Sequence, residues 1–311
     1  WIQRGGRTPH VVAKVCRFRS MAHPHNLTLA CVGNSITRGD GTHEPGDGTH
    51  SPFKSEVRMR SRGNYPILLQ GMSGGWLRVS NFGHGGRTAT RTTDAYIDTH
   101  EYAAALASSP DAVVLMLGTN DCKRKVWVHQ RDQFMPALKA IAHAFLALPS
   151  RPSLLLVVPP PIVNPKSQDF QPQVLATDIA PRIIEVAHQL FNSSSRWARS
   201  PSATPCTPGH VSLLNLHALW ESRYRCATAS APVPTSLDCT ALYGPDGVHT
   251  STRGAEAIAA AVYERFQLCG ANMGTRSRRG AQIHSRRLGR TNYNGGMLRG
   301  HGVTQTPKKR W

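Results

Sequence analysis

The 311-residue chain has no apolar run of the ~18–20 residues that a membrane-spanning helix requires, so an integral membrane protein is excluded. It has no CxxC pair and no Cys/His cluster at zinc-ligand spacing. Its seven cysteines (Cys16, Cys31, Cys122, Cys206, Cys226, Cys239 and Cys269) are an odd number set far apart, and no metal site is expected. The segment before Leu27 lacks an apolar stretch of ~7–15 residues, so no secretory signal is visible. A start at Met21 would make the protein cytoplasmic and a longer precursor would make it an exported one, which leaves the compartment open. Acidic residues are missing from both ends. Residues 1–25 hold five Lys/Arg and residues 271–311 hold ten, with no Asp or Glu in either.

That distribution decides how the formal charge of +19 is read. With the ends set aside, 22 basic and 18 acidic residues remain between 26 and 270, a balance of only +4. The expected organisation is therefore a basic, disordered segment over 1–25, one folded domain over 26–270, and a basic, disordered tail over 271–311. Aromatic residues that could stack on bases are sparse in the ends: Trp1, Phe18, Tyr293 and Trp311. Any affinity for polyanions would reside in these two segments and weaken steeply with salt.

Within the body, LTLACVG (27–33), WLRVSNF (76–82), DAVVLMLG (111–118), SLLLVVP (153–159) and HVSLLNL (210–216) are short runs rich in Leu and Val. Continuous apolar runs of that length predict strands buried on both faces. Helical spacing lies between them: Leu138, Ile141, Ala142 and Phe145 before Pro149; Ile179, Ile183, Val186, Ala187 and Leu190; Ala255, Ile258, Ala259, Val262 and Phe266 before Gly270. A shorter helix is expected over Glu101 to Ala107. Strands alternating with helices predict a three-layer α/β domain, helices on both faces of a mainly parallel five-stranded sheet, with ligands at the carboxyl ends of the strands.

Two loop regions interrupt this pattern. The first carries a tandem heptad, GDGTHEP (39–45) and GDGTHSP (46–52), whose Gly, Asp and Pro favour turns. Its Asp40/His43 and Asp47/His50 pairs read better as solvated loop than as a cation site. The second, residues 192–209 and 221–243, is rich in Ser, Pro and Ala and reads as surface loop. Cys206, Cys226 and Cys239 fall there, as free thiols or as members of a disulfide.

Three short motifs carry candidate chemistry. Gly33-Asn34-Ser35-Ile36-Thr37 puts a serine just past the first strand, where either a helix cap or a nucleophile would stand. Gly118-Thr119-Asn120-Asp121 ends the third strand and puts an amide donor on the same edge. Asp246-Gly247-Val248-His249 precedes the last helix at a spacing that lets the carboxylate hold the imidazole. A carboxylate so placed fixes the tautomer and frees the other ring nitrogen to take a proton from a serine.

GNSIT, NFGHGG, GTND and DGVH, in this order, resemble the four sequence blocks of the SGNH hydrolases, also called GDSL esterases. The likeness runs over about residues 27–268. NYPILLQ (64–70), EYAAALASSPDAVV (101–114), GTNDCKRKVW (118–127), the VVPPP stretch (157–161) and AEAIAAAVYERF (255–266) resemble the branch that includes sialate O-acetylesterase-like and other carbohydrate-deacetylating members. The resemblance implies a flavodoxin-like α/β/α sandwich, with Ser35 as nucleophile, His249 as general base and acid, and Asp246 as its orienting partner. It implies an oxyanion hole made of the Ser35 N–H, the Gly86 N–H and the Asn120 side chain, and a reaction that needs no cofactor or metal. The expected activity is removal of a short acyl group, acetyl above all, from a carbohydrate ester. The alternatives are a lysophospholipase or thioesterase, or a non-catalytic fold that binds polyanions through its basic ends.

Three features depart from the family pattern: Asn34 where Asp commonly precedes the serine, a long insert from Gly39 to Gly63 expected to overhang the site, and Thr250 where Pro often follows the histidine. The geometry expected is Ser35 Oγ within hydrogen-bond reach of one ring nitrogen of His249, with Asp246 on the other.

Overall fold

A computed structural model describes residues 26–42, 63–226, 237–267 and 269. Both basic ends and most of the heptad insert lie outside the described residues, as does the insert's expected overhang of the site. All five apolar runs form strands: β1 (Leu27–Gly33), β2 (Leu77–Gly83), β3 (Ala112–Met116), β4 (Ser153–Val158) and β5 (Val211–Asn215). They make one sheet in the order β2-β1-β3-β4-β5, every pair parallel.

Alternation across each strand divides the interior into two layers. Leu29 and Cys31 of β1, Val114 and Met116 of β3, and Leu155 and Val157 of β4 join a buried cluster with Leu69, Trp220, Ile258 and Phe266. Ala30, Val32, Val113, Leu115, Leu154 and Leu156 point the other way, into a cluster with Phe134, Phe145, Ile183 and Leu190. Helices cover both faces, so the strands read as unbroken apolar runs.

The helices are α1 (Ser35–Arg38), α2 (Tyr65–Met72), α3 (His100–Ala107), α4 (Arg124–Gln130), α5 (Phe134–Leu146), α6 (Pro172–Val174), α7 (Ala180–Ser193), α8 (Leu216–Tyr224), α9 (Leu237–Thr240) and α10 (252–267). The four helices expected from periodicity correspond to α3, α5, α7 and α10. The reading of 221–243 as loop needs correction at its start, where α8 continues through Tyr224, and over Leu237–Thr240, which form α9. Only Leu216, His217 and Trp220 of α8 are buried, too few for an apolar stripe. The helix is set instead by its cap, where Asn215 Oδ1 accepts from the Ala218 N–H at 3.0 Å. No helix among the described residues is long and apolar enough to cross a membrane.

Two disulfides close the C-terminal part, Cys206–Cys269 and Cys226–Cys239. Cys269, at the end of the α10 segment, is the partner that the sequence reading did not bring to this region. Cys31 and Cys122 are buried free thiols, both pushed up to about 12 by burial and so inert.

His217 on α8 gives a prediction about stability. Its ring is buried, neither nitrogen has a hydrogen-bond partner among the described residues, and burial lowers its pKa from 6.5 to about 4. Glu221 Oε1 lies 3.7 Å from Nε2, too far to offset the loss of hydration. The folded state keeps the ring neutral where the unfolded chain protonates it, so stability falls as pH drops from ~6.5 towards 4. The loss expected by pH 4.5 is on the order of 2–3 kcal/mol. Denaturant titrations at pH 7 and 4.5 should show a smaller pH-dependent loss in His217→Leu than in the parent. Equal losses would show that the ring is hydrated or charged in the fold.

Candidate active site

The sheet order fixes where a site can form. From β1 the chain crosses to β2 on one side, and β3 then pairs with β1 on the other, so the direction of winding reverses at β1. Such a switch point leaves a crevice at the carboxyl ends of the strands. Gly33 of β1 is in register with Gly83 of β2 and Met116 of β3. Ser35, Gly86 and Asn120 each follow one of these level residues within four positions.

Asn34 is in extended conformation and caps α1, its Oδ1 accepting from the Ile36 N–H at 3.1 Å. The cap is therefore Asn34, and Ser35 is the first helical residue, 4% exposed. The Asn34 carbonyl oxygen does the work that a carboxylate would do, while Nδ2 is buried without a partner among the described residues. After one turn the chain leaves the helix at Gly39, whose N–H and that of Asp40 both donate to the Ser35 carbonyl. Ser35 Oγ has no hydrogen-bond partner among the described residues, His249 included.

Beyond β2, Gly86 has φ +77°. The loop that follows it is tied to the end of β3 by two consecutive residues. Asn120, 3% exposed, donates from Nδ2 to the Arg87 carbonyl at 3.1 Å. Asp121, fully buried, accepts from the Ala89 N–H through Oδ2 and from the Thr90 N–H and hydroxyl through Oδ1, each at 3.0 Å. Burial pushes the Asp121 carboxyl above the usual range against those bonds. Nearby, His84 Nδ1 meets Glu101 Oε2 at 2.8 Å, and Arg87 reaches His84 Nε2 at 3.2 Å.

The third part comes from the segment before α10. Asp246 Oδ1 accepts from the Val248 and His249 N–H groups, each at 2.9 Å, which folds the four residues into a tight loop. Oδ2 meets His249 Nδ1 at 2.5 Å. Burial alone would raise the Asp246 carboxyl, but hydrogen bonds from the Val248 N–H, the His249 ring and the His249 N–H hold it below the usual carboxylate range. It therefore stays an anion at neutral pH.

Two close approaches position this loop. At Gly247, φ +71°, an added Cβ would lie 2.0 Å from the Val163 carbonyl oxygen. The backbone there is gripped by the Val163 N–H on Gly247 O and the Lys166 N–H on Asp246 O. On the other side, a Cβ on Gly41 would lie 2.8 Å from the Cβ of His249. The turn that leaves the Ser35 helix thus runs directly against the histidine. Although 214 positions separate Ser35 from His249 in the sequence, their two segments touch.

Asp121 and the His84–Glu101–Arg87 cluster escaped the sequence reading. The only signal for Asp121 was its place beside Asn120, and Glu101 lies on a helix whose relation to β2 no local pattern gives. A serine at a switch point, an amide beside a glycine loop and a carboxylate-held imidazole are the parts used by acyl-transfer hydrolases.

Residues 31–194 match the GDSL-like lipase/acylhydrolase family. The chain belongs to that family. The match takes in Ser35, Gly86 and Asn120 and ends before Asp246. An acetylxylan esterase from Xylanibacter ruminicola is 33% identical over 180 residues, which cover 52% of this chain and 34% of that protein. The chain thus spans about a third of that relative's length. Among solved structures, the aryl esterase of M. smegmatis superimposes with a TM-score of 0.51 at 16% identity, covering 78% of this chain and 98% of its own. A carbohydrate acetylesterase from Sinorhizobium meliloti gives 0.49 at 15% identity, covering 78% of this chain and all of its own. The likeness to the aryl esterase is one of fold.

Proposed function

We propose that the protein is a serine esterase that removes a short acyl group, acetyl above all, from a carbohydrate hydroxyl. The observation that carries the mechanism is the Asp246–His249 bond, because a carboxylate on Nδ1 leaves Nε2 as the basic nitrogen. The acetyl and carbohydrate parts draw support from the acetylxylan esterase relative.

Ser35 Oγ attacks the ester carbonyl while its proton passes to His249 Nε2, and the carbonyl electron pair moves onto oxygen. The N–H groups of Ser35 and Gly86 and the amide of Asn120 receive that oxyanion. When the intermediate collapses, the C–O bond to the sugar breaks and the imidazolium gives its proton to the departing alkoxide. Water then loses a proton to His249 and attacks the acetyl-serine. Acetate leaves as the Ser35 hydroxyl regains its proton. Asp246 stabilises the imidazolium and stays ionised throughout.

The test is a substrate series. Turnover should be highest on p-nitrophenyl acetate and fall with each lengthening of the acyl chain, and acetylated xylan or acetylated sialic acid should release acetate. A preference for long-chain esters or acyl thioesters would instead assign a lysophospholipase or thioesterase activity.

A further inference from the structure

We infer that Asp121 is a positioning residue for the oxyanion site, acting through the loop that presents Gly86. The inference rests on the serine-esterase reading above. Asp121 touches no reacting atom in that reading, yet it is fully buried, and no cation pairs with it among the described residues. A buried carboxylate without a counter-ion is costly unless hydrogen bonds replace its water. Three donors take that place, all from Ala89 and Thr90, three and four residues past Gly86.

Asn120 binds the same loop two residues nearer, at the Arg87 carbonyl. Two successive side chains at the end of β3 therefore hold residues 87 to 90 from opposite polarities, Asn120 as donor and Asp121 as acceptor. The Asn120 bond uses one N–H of its amide and leaves the other for the oxyanion, which fixes the plane of that amide. Residues further along are pinned as well. The Thr88 N–H donates to the Asp94 carbonyl and the Tyr96 N–H to the Thr88 carbonyl, while Tyr96 Oη donates to the Phe82 carbonyl at 2.6 Å. Gly86 itself, with open space where a Cβ would be, is not wedged by packing. What sets the direction of its N–H is the loop on either side, and Asp121 ties the downstream side with three hydrogen bonds.

The geometry also says why a carboxylate is needed. An asparagine at 121 could keep Oδ1 on the Thr90 donors, but its Nδ2 would face the Ala89 N–H, donor against donor. That end of the loop would be released while the side-chain volume stays the same. A displacement of about an ångström at a catalytic donor costs up to ~10²-fold in rate.

The experiment compares Asp121→Asn and Thr90→Val with the parent and with Ser35→Ala, all on p-nitrophenyl acetate. For Asp121→Asn, kcat per folded molecule should fall ~10–100-fold with KM within ~2-fold, because the donors are aimed at the transition state rather than at the ester. Thr90→Val, which removes one of the three donors and keeps the rest, should give a smaller loss of the same kind. The Ki of phenylboronic acid, whose tetrahedral Ser35 adduct puts an oxygen in the oxyanion position, should rise in step with the loss of kcat. If Asp121→Asn lowers only the melting temperature, with kcat and the boronate Ki at parent values, the role of Asp121 is structural and the inference fails. Parent-like turnover in Ser35→Ala would overturn the serine-esterase reading itself, so the two failures are distinct.

Discussion

Ser35→Ala and His249→Ala are each expected to lower kcat on p-nitrophenyl acetate by ~10⁴–10⁶, the scale seen when members of a serine–histidine unit are removed. The double variant should be scarcely slower than either single one. In the proposed mechanism attack by Oγ and proton transfer to the imidazole are one event, so removing either partner removes the whole. Asp246→Asn should cost ~10⁴, because an amide would favour the wrong tautomer at Nδ1 while the fold of the loop stays close to that of the parent. Asp246 Oδ1 meets two backbone N–H groups, so Asp246→Ala would also loosen the loop. The asparagine variant is the cleaner reading of chemistry. Steady-state kinetics on purified protein, with circular dichroism to establish folding, decides the matter. Substantial turnover in Ser35→Ala would mean that the nucleophile lies elsewhere.

Asn120→Ala should lower kcat by ~10²–10³ and leave KM nearly unchanged, the cost of one oxyanion donor. The side chain also holds the Arg87 carbonyl, so the effect includes some release of the Gly86 loop. Asn120→Asp tests the electrostatic part. It cannot donate to Arg87 O or to the oxyanion, and it adds a negative charge where negative charge develops, so its loss should exceed that of alanine. An aspartate variant faster than the alanine variant would show that no negative charge develops beside residue 120. Asn34→Asp, by contrast, should be mild. Either residue offers an oxygen to the Ile36 N–H, and the buried Nδ2 of Asn34 has no partner to lose among the described residues.

Much of the fold was legible in the chain because burial on both faces leaves a strong local mark. The runs at 27–33, 111–118 and 153–159 have almost no polar interruption, and each became a strand within two residues of its expected ends. The helices α5 and α7 were legible for the matching reason, one apolar stripe at helical spacing. Less was legible where a single capping residue sets the element: α8 follows Asn215, and α2 begins after Asn64, whose Oδ1 accepts from the Ile67 N–H at 3.0 Å. The Ser35 turn was placed correctly on the carboxyl edge, while its form, one helical turn capped by Asn34, came from the backbone.

The sequence by itself determined the identity of the strands, the order of the four motifs and the bond between Asp246 and His249, three residues apart in one loop. These depend on interactions near in the chain, which residue type and spacing encode directly. Only the tertiary structure decided that the sheet runs β2-β1-β3-β4-β5, so that winding reverses at β1 and the loops after β1, β2 and β3 leave one edge of the sheet side by side. It also decided that Gly41 meets His249, that Asp121 ties down residues 89 and 90, and that Cys206 pairs with Cys269. Each of those contacts joins segments separated by about thirty residues or more in the chain. No local propensity carries such a pairing. It follows from which buried faces pack together, and that is settled only when the sheet and its two helical layers form as one body.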